Sequence, residues 1–136
     1  MPTPPKFDPQ RGHRGRGPTK LPAEGRLGEA PPWPFPGRVS AAERQAWADL
    51  WSTPQAVAWE KLGIGCVGEV ARYCRLFVQC QKPGTSSAVH AQATAIADRL
   101  GLTPKAMRLL LWEIVPDEVA EKRQESSSVR DRIKAV

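Results

Sequence analysis

The chain has 136 residues, 14 of them proline, and a formal net charge of +6. That length fits one domain and leaves little room for a second. Ten of the prolines fall in the first 36 residues, so about 100 residues remain for a core, which excludes a TIM barrel or a full doubly wound dinucleotide fold.

The charge is uneven. Residues 1–39 carry seven Lys/Arg against three Asp/Glu, residues 40–116 eight against six, and residues 117–136 five of each. A mild basic excess fits a polyanionic partner, nucleic acid above all. Cys66, Cys74 and Cys80 are odd in number and spaced eight and six apart, and no secretory apolar segment follows Met1. A reducing cytoplasm is therefore the expected setting. No apolar run approaches the roughly 18–20 residues that span a bilayer, so no membrane role is expected.

Residues 1–39 read as a flexible, basic, Pro-rich leader. Pro2, Pro4, Pro5 and Pro9 remove backbone donors and restrict the residues before them. The run Arg11-Gly-His-Arg14-Gly-Arg16-Gly17 has no apolar anchor, so disorder is expected there. Pro31-Pro-Trp33-Pro-Phe35-Pro36 is expected to be extended. Its two aromatics should dock along the folded domain or a neighbouring subunit.

Helical punctuation starts at Ser40, where Ser40-Ala-Ala-Glu43 forms a capping box. The first helix should reach about Ser52, with Trp47, Leu50 and Trp51 on one face. Thr53-Pro54 opens a short second helix to Leu62, anchored by Val57 and Leu62 and stopped by Gly63. A third helix spans about Cys66 to Gln81. Val67, Val70, Ala71, Cys74, Phe77 and Val78 cover an arc of about 120° on it. Lys82 to Ser86 turns the chain. A fourth helix follows from about Ser87 to Leu100, with Val89, Ala93, Ile96 and Leu100 in a stripe. Gly101 stops it. The short connection implies an antiparallel helical hairpin.

Thr103-Pro104 opens a fifth helix expected to run to Val115. Met107, Leu110, Leu111 and Ile114 share one face, while Leu109 and Trp112 point elsewhere, so two packing partners are implied. Residues 117–136 read as a charged C-terminal helix or tail. No strand pattern is convincing. The expected architecture is all-α: a small bundle of four to five helices around a central hairpin, behind a disordered Pro/Arg/Gly-rich leader. The helical domain would occupy residues 40–116.

Catalytic signatures are weak. Gly63-Ile-Gly65-Cys-Val-Gly68 matches G-x-G-x-x-G, but that fingerprint needs a strand before it; an interhelical hinge is the better reading. No C-x-x-C exists, and the histidines are His13 and His90, so no metal site is expected. Cys74 lies on an apolar face as a buried thiol. His90 flanks its helix without an acidic or nucleophilic partner. The carboxylates, as in Glu69/Arg72 and Asp98/Arg99, alternate with bases on solvated faces. No enzyme activity and no cofactor are expected. Basic residues remain as DNA-binding candidates: Arg11, Arg14, Arg16 and Lys20 on the leader, Arg72 and Arg75 on the third helix, and Lys105 and Arg108 near the start of the fifth. Each has the alternative of a plain solvent-facing cation.

Leu100-Gly-Leu-Thr-Pro-Lys105-Ala-Met-Arg108 resembles a motif of the phage terminase small subunits. The order Leu21-Pro-Ala-Glu-Gly-Arg26, Trp33-Pro-x-Pro36, Trp47-x-x-x-Trp51-x-Thr-Pro-Gln-Ala56 and Val70-Ala-Arg-Tyr73 is similar to members from phages and prophages of actinobacteria. The resemblance spans about residues 21–115. It implies a non-catalytic DNA-packaging protein in the cytoplasm of the bacterial host. Such a protein forms homo-oligomeric rings, binds viral double-stranded DNA at the packaging start, and recruits or regulates the large terminase subunit. Trp33, Phe35, Leu109 and Trp112 are then the candidates for oligomer or docking contacts. Helices four and five, with the turn at Gly101–Thr103, are the nearest approach to a helix-turn-helix. The rival readings are a dimeric helix-turn-helix regulator and a structural virion protein without DNA binding.

Overall fold

A computed structural model of the chain describes residues 17–116, 126 and 128–135. The order of elements is β1 (Thr19–Pro22), α1 (Ala41–Trp51), α2 (Pro54–Leu62), α3 (Ile64–Cys80), α4 (Ser87–Arg99), α5 (Pro104–Leu110) and β2 (Trp112–Val115). The fold is mostly helical, as expected, but it is not all-α. β1 and β2 pair in parallel, with Thr19 opposite Trp112 and Leu21 opposite Ile114. Residues 128–134 are helical.

The helix starts follow the local chemistry. The Ser40 side chain accepts from the Glu43 amide, and the Glu43 carboxylate accepts from the Ser40 amide, both at 3.1 Å. Thr103 caps α5 by accepting from the Ala106 amide at 3.1 Å. Thr53 differs: its hydroxyl donates back to the Leu50 carbonyl at 2.7 Å, and α2 starts on Pro54 without a side-chain cap. Gly63, at φ 82°, ends α2. Gly65 and Gly68 lie inside α3, so a helix and not a strand precedes the glycine-rich stretch.

The core joins α1, α2, α3 and α4. Trp47, Trp51, Ala56, Trp59, Val70, Ala71, Cys74, Ile96 and Leu100 are its main buried members. Trp33, Trp47, Trp51 and Trp59 form a continuous run of edge-to-face rings, with centroids 5.0, 5.6 and 5.6 Å apart. Such geometry is favoured by the ring quadrupoles and adds to the large apolar area that each indole buries. The expected anchor Leu62 is instead 67 % exposed, and Trp59 is fully buried in its place. Trp59 carries a polar atom as well. Its indole donates to the Leu100 carbonyl at 2.9 Å, which fixes α2 to the end of α4.

The fifth helix is shorter than expected. Leu111 adopts a left-handed conformation (φ 57°, ψ 42°), which stops α5 after Leu110. Trp112–Val115 then runs as a strand. The Leu-rich period predicts continued helix, yet Trp112, Ile114 and Val115 suit a strand equally well. Their partner β1 lies more than 90 residues away, out of reach of any local pattern. The Thr19 amide donates to the Leu111 carbonyl at 2.8 Å, and the Ala23 amide to the Val115 carbonyl at 2.9 Å.

The leader is also corrected. From Thr19 onward it belongs to the fold: Leu21 is 1 % exposed and Trp33 packs on the core. Gly25, at φ 81°, lies so close to the Ser52 carbonyl that no Cβ would fit. Arg26 forms an ion pair with Glu60 at 3.3 Å, donates to the Glu29 carbonyl at 2.8 Å, and lies 5.7 Å from the Trp51 ring centre. The Pro31 carbonyl accepts from the Trp47 indole at 2.8 Å.

Candidate nucleic-acid interface

The Pro-rich segment, expected to be extended throughout, bends at residues 35–37, where Gly37 takes a positive φ of 100°, and its two aromatics pack beside α3. Trp33 and Phe35 meet edge-to-face with centroids 6.1 Å apart. The guanidinium carbon of Arg75 lies 5.3 Å from the Trp33 ring centre and 5.5 Å from that of Phe35. Arg72 lies 5.9 Å from the Phe35 ring centre. The two cations singled out on α3 and the two docking aromatics therefore form one cluster. Docking occurs within the chain's own domain. Aromatic faces restrain a guanidinium through cation–π attraction and leave its edge donors available.

This cluster forms one wall of a groove of about 810 Å³ between α3 and α4. Phe35, Pro36, Leu76, Ala95 and Ile96 supply its apolar surface, and Arg72, Arg75, Arg99 and Gln92 its polar groups. Arg75 also lines a neighbouring cleft with Lys82, and Arg99 lines another with Lys105. Shared walls thus connect Lys82, Arg75, Arg99 and Lys105 in a cationic lane across α3, α4 and α5. The nearby acids have other duties. Glu69 approaches Arg72 at 3.4 Å. Glu43 closes the capping box, and Asp98 accepts from the Thr103 hydroxyl at 2.7 Å.

The remaining candidates are dispersed. Arg11, Arg14 and Arg16 lie outside the described residues. Lys20 is exposed on β1, in register with Glu113. Arg108 is exposed on α5. Leu109 is 75 % exposed, with Leu110, Leu111 and Ile114 exposed around it. The apolar face expected of α5 is therefore not buried; Ala106 is the buried residue of that helix. Trp112 packs against the core, beside Gly101.

Sequence reasoning overlooked Arg99 and Lys82. In sequence Arg99 reads with Asp98 as a solvated pair, and only the packing of α3 on α4 brings it into one groove with Arg75. Gln55 was also missed. It is buried and donates to the Gly101 carbonyl at 3.2 Å, holding the turn before α5.

Cys74 donates to the Glu43 carbonyl at 3.1 Å. Burial, reinforced by the Glu43 charge, pushes its thiol up to about 11. Burial also raises the Cys66 thiol to about 11, with Glu69 adding to the effect. Neither thiol is activated as a nucleophile, because the thiolate is the reactive form. His90 is exposed. Among the described residues no group of three or more His, Cys, Asp or Glu side chains is placed to hold a metal ion. No helix among them is long and apolar enough to cross a membrane. No family model matches the chain, and comparison with curated proteins and with solved structures gives no match.

Proposed function

We propose that this chain is a phage-type small terminase subunit: a non-catalytic DNA-packaging protein that binds viral double-stranded DNA and serves a large subunit holding the motor and nuclease. The cytoplasm of the bacterial host is its place of action. The sequence resemblance supplies the terminase part of this reading; the observation that supports its nucleic-acid part is the set of Lys82, Arg75, Arg99 and Lys105 lining adjoining clefts. Cations that line adjoining clefts, three of them on helices and Lys82 in the turn after α3, suit the phosphates of a duplex. Such contacts position the nucleic acid without reading its sequence. In this reading α3 and α4 form the central antiparallel hairpin of a small bundle, and the cationic leader adds contacts through Arg11, Arg14 and Arg16.

Assembly into a ring belongs to the same proposal. Exposed Leu109, Leu110 and Ile114 supply apolar surface at the end of the helical core. A heterologous contact there would close into a ring when its rotation permits.

One observation favours a second reading. α4 and α5 are separated by four residues, and α5 presents Lys105 and Arg108 to solvent. A dimeric helix-turn-helix regulator would use α5 in the major groove. Native mass spectrometry with and without duplex DNA separates the two. A large closed oligomer supports the terminase reading, a dimer supports the regulator, and a protein that stays monomeric and ignores DNA at low salt contradicts both.

A further inference from the structure

The groove between α3 and α4 has a property that duplex phosphates do not use. Its cations share the lining with apolar surface from Phe35, Leu76 and Ile96, and Arg72 and Arg75 stand over the Phe35 ring, in a volume of about 810 Å³. Phosphates and sugars of an intact duplex would meet the guanidinium groups and leave that surface uncovered, because the bases stay stacked inside. An unpaired nucleotide has both parts the groove asks for: a flat, weakly polar base and an adjoining anion. Gln92 adds an amide, which carries donors and an acceptor suited to a base edge. Arg75, held against two rings, keeps its edge donors for an adjoining phosphate.

We infer that this groove receives an unpaired stretch of DNA, with a base lodged on the apolar floor and its phosphates on Arg75 and Arg99. The inference rests on the nucleic-acid reading above and narrows it from any phosphate backbone to strands whose bases are free. The occupant is argued from charge complementarity. Arg75 and Arg99 have no acidic partner in ion-pair contact among the described residues.

Fluorescence anisotropy on the full-length protein tests it with four probes: a labelled single strand, the matching duplex, an abasic strand of equal length and charge, and an amphipathic Glu/Leu peptide. Burying one base should favour the single strand over the abasic strand by about tenfold. Ala95→Trp, on an exposed position lining the groove, should fill the recess and remove that advantage, read as the ratio of normal to abasic single-strand affinity. Equal affinity for normal and abasic strands, or an unchanged advantage in Ala95→Trp, overturns the inference but leaves duplex binding standing. Binding of the peptide without any single-strand preference assigns the groove to a protein partner and also overturns it. Failure of every DNA probe at low salt rejects the nucleic-acid reading itself.

Discussion

Arg75 of α3 lies 5.3 Å from the ring centre of Trp33, a residue of the proline-rich leader. The leader is thus part of the cationic surface. It supplies the aromatic faces that keep two arginines in place.

That relationship predicts a separation of binding from folding. Phe35→Leu keeps apolar bulk but removes the ring that faces Arg72 and Arg75. It should cost about 0.5–1 kcal/mol of stability, the scale of an exposed cation–π contact. DNA affinity should fall several-fold with the helical circular-dichroism signal unchanged. Anisotropy and urea melts on the same preparation check both.

Trp59 should be the most sensitive position of α2. It is fully buried, and its indole donates to the Leu100 carbonyl at 2.9 Å. Trp59→Phe deletes the donor and leaves that carbonyl unsatisfied, at a cost of about 1–3 kcal/mol in denaturant unfolding. Leu62→Ala, at a residue 67 % exposed, should stay within about 0.5 kcal/mol of the parent.

Gly101 joins α4 to α5 at φ 72°, and a Cβ there would run into the Trp112 ring and the Leu110 side chain. Gly101→Ala combines backbone strain with that collision, so a loss of about 2 kcal/mol or more is expected. Gly28→Ala is the control: its φ is also positive, at 99°, but nothing lies near its Cβ. It should lose clearly less in the same thermal melts.

These positions show what local pattern could and could not reveal. The capping box at Ser40, the Thr-Pro start at Pro54 and the Gly63 stop are signals confined to a few residues, and α1 and α2 appear where those signals stand. The period of Val70, Ala71 and Cys74 likewise announces the buried face of α3. Long-range facts left no such mark. Helical spacing through Leu110 and Leu111 concealed β2, because the strand depends on β1 at the other end of the fold. Gln55 and Trp59 are buried for what they donate to, and those acceptors lie 46 and 41 residues away, respectively. On the site, Arg72, Arg75, Trp33 and Phe35 were legible singly. Their union, and the part of Arg99, required the crossing of α3 and α4.

The thiols predict an alkaline dependence of stability. Cys66 and Cys74 titrate at about 11 in the fold against an ordinary 9.0, chiefly through burial. Between these values the unfolded chain has lost protons that the native state keeps. Stability contributed by the neutral thiols is therefore complete below pH 9 and declines as pH rises towards 11. Urea melts across that window should show a falling midpoint, and the double variant Cys66→Ala, Cys74→Ala should fall less steeply. At neutral pH both thiols should react slowly with a thiol-specific reagent until denaturant is added.

The most direct test of the central claim is the salt dependence of duplex binding by the parent protein and by Arg99→Ala. Each phosphate neutralised contributes about 0.9 to the slope of log K against log salt. If Arg99 in the groove holds a phosphate, the variant should bind more weakly and its slope should be shallower by about that amount. A parent protein whose binding ignores salt, or a variant with the parent's slope and affinity, would contradict the assignment of DNA to this lane.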